Sequence, residues 1–382
     1  MSSLHTSKIF IIGGTGAQGI PIIKSLVKDK KYHVRVLTRD TTSKRAKALL
    51  ELGNVELLSG TFASEETLRA GYAGCDGAFI NIDGFNTGEK AELYWVFPPP
   101  PSSPFLPQSN HLHQAIRTYE LALEVAIKFF IYGNLDYAYK ISNYNPAMRT
   151  GHYDGKGRIG EWILSQTQQI GQRRGMGAAL FTTGPYIEMT LASQTIMTPT
   201  IEDGIVTWRV PLGDGAVTHV ALDDCGFYVR WLFDNPERAN GMDLKAAIAD
   251  IPYSDLAKAF QTVTGRPAQF IDVEMEEYWT KGGMSRAAGW SAGYNAGPDS
   301  MSIRENFTGF WNVWKHRVLK GTRDWELLDE IHPRRIRSAE DFFRREEEKS
   351  KETGQPGLWE RVQKENLVPI LKLGEDGRKG KL

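Results

Sequence analysis

The sequence has little cysteine, no net charge and no long apolar segment. Cys75 and Cys225 are its two cysteines, so a disulfide framework is excluded and we expect both thiols to be reduced in a core. The 46 basic and 46 acidic side chains cancel, which argues against direct binding of nucleic acid or attraction to a membrane. The apolar runs are short, so we expect neither a signal segment nor a membrane-spanning helix. We therefore expect a cytoplasmic protein that could also enter the nucleus.

The composition is that of a globular protein. Apolar residues make up 41% of the chain and charged residues 24%, which is enough to form a sizeable core. A length of 382 residues suits one large domain with additions, or two domains.

A glycine-rich stretch at 8–19 reads K-I-F-I-I-G-G-T-G-A-Q-G. Its apolar start is typical of a buried parallel strand, and apolar residues at helical spacing follow at 20–26. A strand, a glycine turn and a helix start form the first unit of a dinucleotide-binding fold. We expect Gly13 to permit the tight turn, Gly16 to let the backbone approach a pyrophosphate, and Gly19 to let helix and strand pack closely.

The end of the second predicted strand, 33–38, indicates which dinucleotide binds. An acid at this place binds the ribose hydroxyls of NAD, whereas a guanidinium pairs with the 2′-phosphate of NADP. Arg39 stands there, with further basic residues at 44 and 45, so the sequence favours NADP. Asp40 could be an NAD-type acid, but we interpret it as the cap of a helix over 44–52.

Strand and helix patterns alternate as far as residue 132, which predicts an α/β fold with a doubly wound parallel sheet of the Rossmann type. Thr61 and Phe62 follow the third predicted strand, where the edge of the base usually lies. Asn81 stands at the end of the fourth, beside the expected nicotinamide ribose.

A proline-rich insert at 96–114 interrupts this alternation. Its six prolines forbid a helix, so the segment must loop out. One interpretation is a surface loop that docks a proline-binding module. The other, which we favour, is a retained intron, because a Val codon begins with GT, a His-Gln pair can end in CAG, and the reading frame is preserved.

The stretch T-G-H-Y-D-G-K-G-R-I-G-E-W-I begins at Thr150. Apolar residues from Ile159 onward recur at helical spacing, so we place Lys156 in the first turn of a helix over the carboxyl ends of the strands. Its ammonium could orient the nicotinamide ribose and donate a proton to a substrate carbonyl; the alternative is a solvated surface lysine. His152 and Asp154 could relay protons, or be a cap or surface group.

The chain resembles the NmrA-like family, atypical short-chain dehydrogenases/reductases related to isoflavone reductases, and its fungal members most strongly. Four motifs carry the resemblance: G-G-T-G-A-Q-G at 13–19, V-R-V-L-T-R at 34–39, H-Y-D-G-K-G at 152–157 and G-P-Y-I-E-M at 184–189. The resemblance implies that Lys156 reaches the nicotinamide side. It further implies that NADP is held by Thr15, Gly16, Ala17, Gln18, Gly19 and Arg39, and that Tyr186 to Met189, including Glu188, close over it.

The sequence departs from the superfamily pattern at two places. Short-chain dehydrogenases use Tyr-x-x-x-Lys, but Tyr153 and Lys156 are three residues apart. NmrA-like proteins usually lack the pair, and some bind NADP as a signal. Thr61 stands where many relatives carry an acid beside the adenine.

Two functions are compatible with these features. The first is an NADP-dependent reductase acting on a carbonyl, quinone or conjugated double bond of a small aromatic or polyketide-like metabolite, in fungal secondary metabolism. The alternative is an NADP(H)-sensing transcriptional regulator that binds a protein partner without catalysis. A small-molecule substrate, a regulatory protein partner or a homodimer, and no metal ion are expected.

The resemblance fades near residue 281, which suggests a division of the chain. We expect a cofactor-binding domain at 5–190, a substrate-covering part at 191–280, a helical extension at 281–372 and a disordered tail at 373–382. His219 is expected to be structural.

The predicted extension contains a segment rich in small residues and a set of regularly spaced aromatic residues. Residues 284–301 could be a mobile lid. Four aromatic residues at helical spacing are expected to pack on the body: Phe307, Phe310, Trp311 and Trp314.

Overall fold

Seven strands form one parallel sheet in the protein, whose computed structural model describes residues 7–82, 114–292 and 301–371. Smaller sheets of two and three strands accompany it in the described residues. The strands are β1 (Ser7–Ile12), β2 (Tyr32–Thr38), β3 (Val55–Ser59), β4 (Gly77–Ile80), β5 (Phe129–Leu135), β6 (Gly177–Thr183), β7 (Thr200–Glu202), β8 (Ile205–Val210), β9 (Val217–His219), β10 (Asp243–Lys245), β11 (Ala249–Ile251) and β12 (Ala268–Asp272).

The helices alternate with the strands in the first part of the chain and dominate its last part. They are α1 (Gly19–Val27), α2 (Lys44–Leu50), α3 (Glu65–Tyr72), α4 (Gln114–Glu124), α5 (Ala138–Ile141), α6 (Gly151–Gln166), α7 (Gln172–Arg174), α8 (Leu222–Asp234), α9 (Pro236–Ala239), α10 (Tyr253–Thr264), α11 (Met275–Lys281), α12 (Ile303–Lys315), α13 (Trp325–Ile331), α14 (Ala339–Thr353) and α15 (Leu358–Arg361).

The large sheet has the strand order β10-β6-β5-β4-β1-β2-β3, and its neighbouring strands are parallel. Alternate side chains of β1 enter different cores: Ile9 and Ile11 pack under α1 and α8, whereas Phe10 and Ile12 pack under α3, α4 and α6. Helices therefore cover both faces, and the predicted doubly wound parallel sheet is confirmed. The order reverses between β4 and β1, where open sheets of this kind bind ligands.

A third core lies beyond the large sheet. It joins the three-stranded sheet β12-β8-β7 to α10, α12 and α14. The aromatic residues predicted to pack on the body are all buried in this core: Phe307, Phe310, Trp311 and Trp314. Helix α12 is thus part of the body of the protein.

Three predicted segments fall wholly or partly outside the described residues. These are the proline-rich insert up to residue 113, the part of the predicted lid at 293–300, and the predicted tail at 373–382. Within the ranges that are described, no helix has the length and apolarity that crossing a membrane requires.

An ion triad around a buried aspartate joins the carboxyl edge of the sheet to the C-terminal extension. Asp136 follows β5, and its carboxylate accepts hydrogen bonds from Lys245 Nζ at 2.8 Å and from Arg323 Nη2 at 2.7 Å. Asp136 is 1% exposed and Arg323 is 6% exposed. Burial alone would raise the pKa of Asp136, but the charges of Arg323 and Lys245 outweigh it and hold the pKa below its usual value.

Replacing Arg323 with Met should destabilise the protein, because one partner of a buried charge is removed. We expect Arg323→Met to lower the free energy of unfolding by about 3 kcal/mol. The exposed pair of Arg209 with Glu202 provides the control, since Arg209→Met should cost less than about 1 kcal/mol. Urea unfolding measures the free energy of unfolding of both variants. Equal losses would contradict the prediction, because the buried pair would then stabilise the protein no more than the exposed one.

Candidate functional site

The glycine turn between β1 and α1 is fixed by close backbone contacts. Gly13 has a positive φ of 82° and lies so near the Asn81 carbonyl oxygen that a Cβ would not fit. Its own carbonyl oxygen accepts a hydrogen bond from Gly16 N at 3.0 Å and leaves no room for a Cβ on Gly19. The structure thus places Gly13 at a tight turn and packs Gly19 against that turn, while Gly16 stays partly exposed.

The start of helix α1 suits an anionic group. No side chain caps it among the described residues, and its first turn carries no acid. The N–H groups at such a helix start keep unsatisfied hydrogen-bonding capacity, and the helix dipole favours negative charge there. Of the loop residues, Thr15 and Gln18 are buried whereas Ala17 is partly exposed. These features fit the pyrophosphate of a dinucleotide.

A chain of hydrogen bonds crosses the carboxyl edge of the sheet. Asn81 follows β4, and its Nδ2 donates to Gln18 Oε1 in the glycine turn at 2.8 Å. Lys156 Nζ donates to Asn81 Oδ1 at 3.4 Å and to the Gly133 carbonyl oxygen in β5 at 3.1 Å. The chain therefore links Gln18, Asn81 and Lys156 at the point where the strand order reverses.

Lys156 is a buried cation. It is 6% exposed, so the alternative of a solvated surface lysine is wrong. Its Nζ also lies over the ring of Tyr132, 5.1 Å from the centroid, an attractive contact for a cation. Neither Tyr132 nor Gly133 was predicted to take part in the site, although the predicted alternation of strands and helices ends at residue 132.

The helix that carries Lys156 begins earlier than predicted. It starts at Gly151, so Lys156 lies in the second turn and not in the first. Glycines at 155, 157 and 160 disfavour a helix by intrinsic propensity, so the sequence did not indicate a start as early as Gly151. Close packing requires two of these glycines, because a Cβ on Gly157 would clash with Tyr137 and one on Gly160 would crowd Asn134.

The strand end that carries Arg39 differs from the prediction in one respect. Ser43, not Asp40, caps helix α2, and its hydroxyl accepts from Ala46 N at 3.3 Å. The Asp40 carboxylate instead accepts from Thr42 N and from the Thr42 hydroxyl, at 2.8 and 2.6 Å. Asp40 binds its own turn because an aspartate can reach the backbone two residues ahead.

Basic residues stand at the end of β2 and in helix α2. Arg39 is partly exposed at the end of β2. Arg45, in helix α2, donates from Nη1 to the Thr15 carbonyl oxygen at 3.5 Å. Positive charge therefore stands beside the turn, as a 2′-phosphate would require.

The residues predicted beside the base lie at the next strand end. Thr61 accepts a hydrogen bond from Ala63 N through its hydroxyl at 3.3 Å, and Phe62 packs partly buried against the core under α3. Both keep some exposure. They stand at the carboxyl end of β3, at the same edge as Arg39.

Glu188 is a partly exposed residue whose carboxyl group lies near the start of helix α8. Its Oε1 accepts from Leu222 N at 2.8 Å, while its Oε2 is buried without a partner among the described residues. Burial raises the pKa of Glu188 to about 8; the Leu222 N–H opposes the shift, and Glu346 and Asp223 add to it. Tyr186, two residues earlier, is partly buried and pairs by backbone with Val220.

The predicted relay residues have structural partners. Asp154 accepts from Thr150 N at 2.9 Å and from Tyr139 N at 3.1 Å, so it ties the start of α6 to α5. His152 lies 3.1 Å from Asn306 through its Nδ1. The buried His219 contacts the Pro185 carbonyl oxygen through its Nδ1 at 3.1 Å, which agrees with a structural role.

Within the described residues, no group of three or more His, Cys, Asp or Glu side chains comes together in a way that could hold a metal ion. Cys75 and Cys225 are both free, and Cys225 is buried.

Glu188 should make stability depend on pH. Because its pKa is about 8 in the folded protein against an ordinary 4.5, the unfolded chain loses its proton first as pH rises. The free energy of unfolding should therefore fall between about pH 5 and pH 8. Glu188→Gln should flatten this fall, as urea unfolding across that range would show.

The partly exposed Glu202, which pairs with Arg209, supplies the matched control. Glu202→Gln should leave the slope unchanged over the same pH range. Equal slopes for wild type and Glu188→Gln would contradict the assignment to Glu188.

Comparison with known proteins assigns the chain to a family. The model of the NmrA-like family matches residues 5–281. The NmrA-like family domain-containing oxidoreductase himF of Aspergillus japonicus is 26% identical over 278 residues, which cover 69% of this chain and 75% of the relative.

Structures of two proteins are among the solved structures that share the fold. NmrA, a negative transcriptional regulator crystallised with NADP and also with NAD, has a TM-score of 0.64 to this chain in both complexes. In the NADP complex it is 14% identical, and the match covers 92% of this chain and 99% of that one. An NADPH-dependent quinone oxidoreductase from Escherichia coli is 16% identical with a TM-score of 0.60, over 87% of this chain and 98% of the other. The matching family model, which spans most of the sequence, shows that the chain belongs to the NmrA-like family.

Proposed function

We propose that this protein is an NADP-dependent oxidoreductase that reduces a carbonyl, quinone or conjugated double bond of a small aromatic or polyketide-like metabolite. The buried Lys156 ammonium, held by Asn81 and Gly133 where the strand order reverses, is the observation that carries the proposal. Fungal relatives named as oxidoreductases support it. A role in secondary metabolism and a cytoplasmic location belong to the same proposal.

The residues at the edge of the sheet fit NADP. The start of α1, which no side chain of the described residues caps, suits the pyrophosphate, and Arg39 suits the 2′-phosphate. The buried Glu188 Oε2, which has no partner in the described chain, could bind a polar group of the cofactor such as the carboxamide. NADPH, when bound, supplies a hydride.

Lys156 provides the proton-bearing group of this site. Its Nζ donates to Asn81 Oδ1 and to the Gly133 carbonyl oxygen, and the three donors of an ammonium can rotate. With the cofactor bound, the same group would donate to a ribose hydroxyl, a substrate oxygen or a water molecule. The surrounding backbone and Tyr132 fix its place, which limits the reorganisation that proton donation requires.

Tyr153 is an unsuitable proton donor. Its hydroxyl is buried without a partner among the described residues, and burial raises the pKa of Tyr153 well above its usual value. Its ring packs against Phe310 and Trp314 of the extension. The missing Tyr-x-x-x-Lys pair is therefore not replaced by Tyr153.

A sensor of NADP(H) that binds a protein partner is the second candidate. The lack of a tyrosine acid favours it, as does the shared fold with NmrA, which is a transcriptional regulator. A regulatory protein partner or a homodimer stays a prediction under either function.

Arg39→Ala should abolish a preference for NADPH. Wild type should bind NADPH more tightly than NADH by about tenfold to a hundredfold, the range expected for a charge-assisted contact with the 2′-phosphate. The variant should bind both equally, as isothermal titration calorimetry would show. Arg209→Ala, at an exposed position away from the large sheet, should keep the preference, and equal affinities in wild type would refute the assignment.

Lys156→Met should lower the reduction rate by about a hundredfold, the lower range for loss of a positioned proton donor. NADPH oxidation would be followed with a panel of quinones, carbonyl compounds and conjugated enones. Lys140→Met removes an exposed lysine that pairs with Glu161 and should leave the rate unchanged. An unaltered rate for Lys156→Met would exclude its role, whereas no turnover together with NADPH-dependent partner binding would favour the sensor.

A further inference from the structure

Helix α12 lies tightly against the segment that leads into the Lys156 helix. Asn312 Nδ2 donates to the Ala147 carbonyl oxygen at 2.8 Å. Gly309 approaches the Arg149 carbonyl oxygen so closely that no Cβ would fit. Asn306 then meets His152 in the first turn of α6. The three residues of α12 that make these contacts are three positions apart and lie on one face of the helix. This face packs along the residues that lead into α6.

Asn306 makes the most buried of these contacts. It is 1% exposed, and its amide lies 3.0–3.1 Å from His152 Nδ1 and accepts from His152 N at 3.4 Å. The rings of Phe307 and Phe310 lie 5.4 and 6.4 Å from the imidazole. A capping box of Ser302 and Glu305 fixes the first turn of α12 directly before Asn306.

His152 connects this contact to Lys156. The two residues are four apart on α6 and therefore share one face of the helix. Burial lowers the pKa of His152 to about 4; Asn306 opposes the shift, and the nearby charge of Lys156 adds to it. The imidazole is thus neutral near pH 7, and the positive charge of Lys156 is one of the causes.

We propose that Asn306 is a positioning residue, which holds the start of α6 through His152 and so sets the place of the Lys156 ammonium against Asn81 and Gly133. Asn306 lies beyond residues 5–281, the range that the family model matches. The C-terminal extension therefore contributes to the cofactor site of this chain. The inference rests on the proposed function only in assigning Lys156 to the cofactor.

A double-mutant cycle on NADPH binding tests the proposal. His152→Ala and Asn306→Ala should each weaken binding by about fivefold to tenfold, the loss expected for one hydrogen bond. The double variant should bind no more weakly than either single one, because both remove the same contact. Asn312→Ala is the matched control: it removes a contact of the same helix face, but not one with His152, and should bind NADPH as wild type does.

Additive losses, or an equal loss for Asn312→Ala, would overturn the proposal, because Asn306 would then only dock the helix. His152→Ala probes the contact from its other side should Asn306→Ala fail to fold. If wild type binds no NADPH, the proposed function fails. Amide hydrogen exchange at residues 152–156 then decides: faster exchange in Asn306→Ala than in Asn312→Ala supports positioning, and equal exchange refutes it.

Discussion

Burial of the Lys156 ammonium is the constraint on which the edge of the sheet depends. A charge withdrawn from water needs polar partners near it, and the structure supplies the Gly133 carbonyl, the Asn81 amide oxygen and the face of Tyr132. Asn81 in turn binds Gln18 of the glycine turn. One buried cation thus ties helix α6 to the neighbouring strands β4 and β5 and, through Asn81, to the start of α1, where an anionic cofactor fits.

The C-terminal extension is joined to this edge by polar contacts. The buried Arg323 pairs with Asp136 directly after β5, and Asn306 meets His152 at the start of α6. Buried polar groups require such partners, because an unpaired one costs desolvation energy that is not recovered. The extension is therefore part of the same packed body as the sheet, although the family model ends before it.

The sequence predicted the features that arise from local pattern. Apolar runs predicted the parallel sheet, and the glycine turn was placed correctly at its first strand. Contacts over long distances in the chain could not be predicted: Asn306 is 154 residues from its partner His152. Strand β10 is short and polar, so no apolar run predicted it. The start of α6 at Gly151 was not predicted either, because the glycines that pack closely in this helix have low helix propensity. The prediction that Asp40 caps α2 is wrong, because Ser43 stands directly before the helix and its hydroxyl accepts the hydrogen bond from Ala46 N.

The central claim is that Lys156 and Arg39 mark the two ends of one NADP site. A crystal structure of the protein with bound NADPH tests it most directly. We expect the nicotinamide ribose within hydrogen-bond distance of Lys156 Nζ and the 2′-phosphate beside Arg39. A cofactor bound away from the glycine turn, or one whose ribose does not reach Lys156, would contradict the account.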